Sequence, residues 1–324
     1  MKAPAFAAAL LLLGWTEAAQ AELTLWQRAK EPGAQLRARA RLRAEQLFEQ
    51  ASDARSDPDL VRELSAGSAA LLELSGGRRD PWQVVLLGRV LLDARPGREQ
   101  EAVRLIESGV SALPDSDFKR ASLFDAGLGS MLSGDMERAV RAFTGALALA
   151  WDPDYRASIH RNRGKAHMLA GHLGESVSDF RAAVALARGV EVMALSHFGL
   201  GVALERSGDY PQGMQEIARG VQVRLPVPPY PTDSVLDMPS LRWIPDYDVH
   251  YFRALGAMTE ATNPGLNADE QLEHWQLALE SWEQYLPAAT ASRDRFAPNA
   301  ERHRQRCLEA VMRLIPKPVS GRVR

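Results

Sequence analysis

Cysteine is almost missing from this sequence: Cys307 stands alone in 324 residues. A lone cysteine excludes an intramolecular disulfide framework and any zinc site built on cysteine pairs. An excess of charge of one sign is missing too. The formal net charge is -2, which argues against a dedicated nucleic-acid binder, because such proteins carry a strong basic surplus. After the first residues no apolar run is long enough for a bilayer span of about 20 residues. Catalytic signatures are absent as well. No HExxH pair, no GxSxG elbow and no phosphate-cradling glycine loop after a strand can be found. No carboxylate pair stands apart for acid–base work, so no catalytic residue, metal ligand or cofactor is assigned.

What is present starts with a leader. Lys2 precedes the apolar stretch APAFAAALLLLGW, and Ala19-Gln20-Ala21 puts small residues where a signal peptidase reads. The expectation is a signal peptide over residues 1–21, cleaved after Ala21, and a mature chain exported to the periplasm or secreted, with no transmembrane segment.

The chain then repeats itself. Gly127, Gly164 and Gly201 lie 37 residues apart, and so do Gly134, Gly171 and Gly208. Phe143, Phe180 and Ile217 keep the same step, as do Ala146, Ala183 and Gly220. One step back, Gly97, Ala102, Ile106 and Gly109 fit the pattern, but Val90 stands where the first glycine belongs. A fixed period of this size signals stacked supersecondary units. Each unit reads as two helices. An apolar stripe such as Leu123, Ala126, Gly127 and Ser130 marks the first. A glycine tolerant of positive φ ends it. Asp135 can then cap the second, which carries Ala139, Phe143, Ala146 and Leu147 on one face. One such pair cannot bury its own apolar face, and stacked neighbours bury it for each other.

These positions resemble the tetratricopeptide repeat, whose period is about 34. The resemblance rests on Gly127, Gly134, Ala139, Phe143 and Ala146; on Gly164, Gly171, Ser176, Phe180 and Ala183; and on Gly201, Gly208, Gly213, Ile217 and Gly220. Arg163 stands where that family favours Leu. The resemblance implies an all-α solenoid of antiparallel helix pairs, a superhelical array whose first helices line a concave groove. It implies a protein or peptide ligand in that groove, held by Phe124, Leu128 and Met131, then Arg161, Asn162, Lys165 and Met168, then Phe198, Val202 and Glu205. Arg161 and Lys165 share a face, and with Asn162 they are similar to the basic clamp by which some members hold a peptide carboxylate. On the next unit Leu195 and Gly199 occupy the matching positions.

The organisation expected is an N-terminal helical cap or degenerate repeat over 22–80, four repeats over 81–224 and a Pro-rich insert over 225–247. A degenerate repeat with a capping helix covers 248–315, and a tail covers 316–324. Proline blocks helix continuation in the insert. Its Tyr230, Leu236, Leu241, Trp243 and Tyr247 argue for an ordered segment that occupies the groove or covers an edge. His160, His167 and His197 sit near one interface. They read as packing positions, with a metal site as the other possibility. The basic run Arg37 to Arg43 reads as a solvated helix face, and Cys307 as a buried packing residue or an intermolecular link. The role implied is an adapter in the cell envelope. Alternatives are a self-assembling structural protein and an accessory enzyme subunit using those histidines. Oligomeric state is left open.

Overall fold

The structure, a computed structural model, describes residues 32–54, 57–75, 80–94, 96–226, 234–238 and 241–315. The leader and the tail, residues 1–21 and 316–324, lie outside the described residues. So do 227–233 and 239–240 of the insert, Tyr230 among them. Among the described residues there are thirteen α-helices, one 3-10 turn and no strand. They form helical hairpins in two compact, all-α units, divided between Ala150 and Trp151.

The first unit holds α1 (Pro32–Asp53), α2 (Pro58–Leu74), α3 (Pro81–Ala94), α4 (Glu99–Val110), α5 (Asp117–Leu132) and α6 (Met136–Leu149). They pair as α1/α2, α3/α4 and α5/α6, and each second helix packs on the hairpin that follows it within the unit. Local chemistry sets the ends. Asp57, Ser116 and Asp135 each accept from backbone N–H groups of the first helical turn, satisfying donors the helix itself leaves free. The core runs through Ala44, Leu72, Leu86 and Leu91 to Val85, Ile106 and Ala126. In the α5/α6 pair Gly127 lies against the Phe143 ring.

The second unit holds α7 (Pro153–Ala170), α8 (Leu173–Leu186), α9 (Val190–Arg206), α10 (Tyr210–Gln222), the 3-10 turn Val235–Asp237, α11 (Asp248–Ala261), α12 (Ala268–Ala291) and α13 (Ala297–Leu314). Hairpins α7/α8, α9/α10 and α11/α12 stack in order, and α13 packs on α12. The turn glycines Gly97, Gly134, Gly171 and Gly208 have φ of 89°, 82°, 91° and 99°. That left-handed conformation is nearly free for glycine and costs other residues about 1 kcal/mol or more. Asn267 and Glu270 close a reciprocal capping box at the start of α12. The aromatic centre of this unit is Phe180, Phe198, Tyr251, Trp282 and Tyr285. Cys307 is fully buried beside them, and burial pushes its thiol up to about 12. It is therefore a packing residue, and the reading of it as a link between copies is corrected.

Candidate functional site

In the second unit, helix α7 turns Arg161, Asn162 and Lys165 to one side, because residues three and four apart share a helix face. They line a cleft with Phe180 from α8, Leu195 and Gly199 from α9, Phe252 from α11, and Leu241, Arg242 and Trp243 from the insert. Gly199 lets the Phe180 ring lie against α9, since a Cβ there would come within 2.1 Å of the ring. Trp243 forms the roof. Its ring lies 5.0 Å from the Lys165 ammonium, a cation–π distance, and packs edge-on against Phe252 at 4.9 Å.

The electrostatics of the cleft are lopsided. Beneath it Arg206 donates to Asp248 Oδ1 at 2.6 Å and touches the Met168 sulfur at 3.5 Å. Its guanidinium lies 4.2 Å from both the Tyr251 and Phe296 ring centres. Burial alone would lower Arg206, and the adjoining Asp248 more than reverses that. Lys165 Nζ reaches only to 3.8 Å from Asp248 Oδ2, an oxygen that accepts no hydrogen bond. Burial brings Lys165 down to about 8, against the pull of Asp248 and helped by the charges of Arg206 and Arg161. Arg161 comes down to about 10 by burial, opposed by Glu191, and its Nη1 is buried with no hydrogen-bond partner. Asn162 donates to the Ser158 carbonyl at 2.8 Å.

The other groove residues implied by the repeat register stand elsewhere. Met168 and Val202 are fully buried, Phe198 is nearly so, and Glu205 is 5% exposed. Glu205 accepts from Tyr251 Oη at 2.5 Å and Asn299 Nδ2 at 3.3 Å, and pairs with His303 Nε2 at 2.8 Å. It is a knot tying α9 to α11 and α13, not a groove contact. In the first unit Met131 is buried, Leu128 is half-buried, and half-buried Phe124 meets Phe143 edge-on at 5.5 Å. A surface open to a ligand needs exposed side chains, so Met131, Met168, Phe198, Val202 and Glu205 are corrected to core positions. Sequence reasoning missed Phe180 and Phe252 as cleft walls, while Leu195 and Gly199, the matching groove positions of the next unit, do line the cleft. Its signal for the roof was the pair Leu241 and Trp243 inside a Pro-rich segment.

Two of the three histidines, His160 and His197, are taken up by carboxylates, while His167 Nε2 stands 3.9 Å from Asp179. His160 pairs with Asp179 at 2.8 Å, Arg163 grips the same carboxylate at 2.8 and 2.7 Å, and His197 pairs with Glu216 at 2.7 Å. His160 and His197 share a repeat position, and so do Asp179 and Glu216. Among the described residues no group of three histidine, cysteine or acidic side chains could hold a metal ion. Burial of Asp179 would raise its pKa, but hydrogen bonds from His160 and Arg163 outweigh this and hold it below the usual range. A depressed carboxylate stabilises the fold above its unfolded pKa, near 4, and loses that contribution as pH falls through its folded value. Asp179→Asn is thus expected to cost about 1–3 kcal/mol at pH 7. The gap to wild type should narrow below about pH 4. Urea unfolding of both proteins across this range reads it, and a gap that stays constant with pH refutes it.

No protein-family model matches the chain, and no curated protein matches it. Among solved structures it is similar to the C-terminal part of a TPR repeat-containing protein from Cytophaga hutchinsonii, at 12% identity and a TM-score of 0.45, over 84% of this chain and 96% of that one. It is also similar to a Signal Transduction ATPase with Numerous Domains from Pyrococcus horikoshii, which carries a tetratricopeptide repeat sensor. There the identity is 13% and the TM-score 0.46, over 80% of this chain and 40% of that one.

Proposed function

We propose that this protein is a non-enzymatic adapter that docks a partner protein or peptide on the first-helix side of its hairpins. The observation that carries this reading is the placement of the cleft. Apart from Phe180 of α8 and the insert, its lining comes from α7, α9 and α11, each the first helix of its pair, and it holds the buried cations Arg161, whose Nη1 has no hydrogen-bond partner, and Lys165. Charge at a docking face steers partners and sets register more than it sets affinity. The setting we propose is the cell envelope, reached through the leader ending at Ala21. Among the described residues no helix is long and apolar enough to cross a membrane.

Capture with Glu22–Arg324 from a crosslinked envelope fraction tests the reading, run beside Arg161→Glu/Lys165→Glu with matched helicity and melting. A discrete partner should be recovered by wild type and reduced about tenfold or more by the charge reversal. The native protein should begin at Glu22 by N-terminal sequencing. Equal recovery by both proteins would move the interface away from the cleft. Recovery of the protein alone would replace the adapter with self-assembly.

A further inference from the structure

Away from the cleft, each unit carries an exposed leucine on a charged helix face, and the two faces are of opposite sign. In the second unit a cavity of about 320 Å³ is lined by Phe198 of α9, Val221 of α10, Leu236 of the 3-10 turn, Gly256 of α11 and Leu277 of α12. At roughly 10–15 Å³ per water, it holds about twenty to thirty waters, room for a row of side chains. Gly256 deepens it. A Cβ there would come no nearer than 3.5 Å to the Phe198 ring, an ordinary contact. Helix packing therefore does not demand this glycine, although glycine weakens a helix interior. The charged groups at the rim are already paired, Arg224 with Glu260 at 3.0 Å and Arg253 with Asp237 at 2.8 Å, so what the cavity offers a partner is apolar surface. Leu277 leads from the cavity onto the outer face of α12, where it is 51% exposed beside Glu273, Gln276 and Glu280. Glu283 continues that acidic face, and α12 contains no Lys or Arg.

The complementary surface is on α1. Between Pro32 and Ala44 this helix carries Arg37, Arg39, Arg41 and Arg43 and no acidic residue. Arg41 is engaged by Glu45 and Asp80, and the other three keep this half of the helix basic. Ala40, Ala44 and Leu47 are buried in the first unit. Leu42 lies on the other side of the helix and is 50% exposed, with exposed Ala38 four residues earlier on the same face. A single exposed leucine needs no explanation. Two on oppositely charged faces, one of them at the mouth of an apolar cavity, match as the halves of one contact.

We propose that the chain associates with a second copy of itself, the Leu42 face of α1 in one copy docking over the Leu277 cavity in the other. An amphipathic helix face laid on an apolar groove is a recurring mode of recognition. The α1 arginines meet Glu273, Glu280 and Glu283, which sets orientation and register. The two patches are different surfaces of the same chain, so every copy offers both halves of the contact. No cleft residue takes part, and the cleft stays available to a partner.

Analytical ultracentrifugation of the purified full chain is the test. At concentrations up to about 100 μM the wild-type mass should rise beyond that of one chain. Raising salt from about 0.15 M to about 1 M shortens the screening length from about 8 Å to about 3 Å and should weaken association about tenfold or more. Leu42→Asp and Leu277→Asp, both at exposed positions, should each weaken it about tenfold or more. An equimolar mixture of the two variants should recover association as pairs, because each supplies the surface the other has lost. A merely unfolded variant gives no such recovery. A wild type that stays monomeric, association indifferent to salt, or a mixture no more associated than its components overturns the proposal. Assembly that disappears in Arg161→Glu/Lys165→Glu also overturns it, since the self-contact would then lie in the cleft. A monomeric chain whose captured partner is lost on Leu277→Asp gives the cavity to that partner instead. A monomer that captures a partner through the cleft leaves the adapter standing and fells the self-contact, and assembly with no captured partner does the reverse.

Discussion

Replacing Asp248 by alanine should destabilise the second unit by about 3–5 kcal/mol. The Arg206 and Asp248 side chains are 0% and 1% exposed, so neither charge can turn to water when the other is removed. Arg206 would be left between the Tyr251 and Phe296 rings. Their faces attract a cation, but by only about 2 kcal/mol when desolvated, less than the cost of an orphaned buried charge. Asp248 is also the first residue of α11, where a carboxylate offsets the partial positive charge of the free N–H groups. Lys165 would lose its nearest carboxylate in the same step. For a unit of this size each kcal/mol moves the melting temperature by about 2–4 °C, so a fall of roughly 6–20 °C is expected by calorimetry. The double change Arg206→Met with Asp248→Leu should recover most of it, because an apolar pair of similar volume leaves nothing unpaired. A single-variant loss below about 1 kcal/mol would mean that Arg206 reaches solvent and that the pair is not the keystone described.

The reasons some features were legible in the sequence and others were not are physical. The turn glycines were legible because positive φ is a local demand. Gly134, Gly171 and Gly208 satisfy it every 37 residues. The aromatics that follow them were legible because a single period sets both the helix face and the neighbour. The α3/α4 hairpin shows where strict stepping fails. Val90 stood at the expected glycine position, yet the close-packing glycine is present as Gly88, where a Cβ would come within 2.6 Å of the Ala102 carbonyl. Gly88 precedes its turn glycine by nine residues and Gly127 by seven, so the shift is absorbed within the α3/α4 hairpin itself. Arg161, Asn162 and Lys165 were legible as a set because they lie within one helical turn and a half. Glu205 was placed in a groove by register alone. Its partner His303 lies 98 residues further on, and no periodicity reports such a pairing. The Trp243 roof had no period at all, only an unusual density of apolar side chains among prolines.

Gly201→Val is the second substitution with a large expected effect. A Cβ at Gly201 would stand 2.5 Å from Ile217 Cγ1, 2.7 Å from the Gly213 carbonyl oxygen and 2.9 Å from the Ile217 nitrogen. Seen from the other helix, a Cβ at Gly213 would stand 2.8 Å from the Gly201 carbonyl oxygen and 3.0 Å from the Glu205 nitrogen. Helices α9 and α10 thus cross with their backbones in contact, and backbone atoms cannot rotate aside as a side chain can. Overpacking a well-filled site costs about 1–3 kcal/mol, occasionally more. Valine against backbone belongs at or above the top of that range, because only separation of the helices relieves it. Gly164 provides the contrast. Its added Cβ meets the Phe180 ring at 3.1 Å and Asp179 Cβ at 3.2 Å, contacts that ease with shifts of a few tenths of an ångström. Alanine is also better than glycine inside a helix by about 0.8–1.0 kcal/mol. Gly164→Ala should therefore change stability by less than about 1 kcal/mol. Urea unfolding of the two variants side by side reads the difference. Similar losses for both would mean that the helices can separate at little cost and that the backbone contact does not set their spacing.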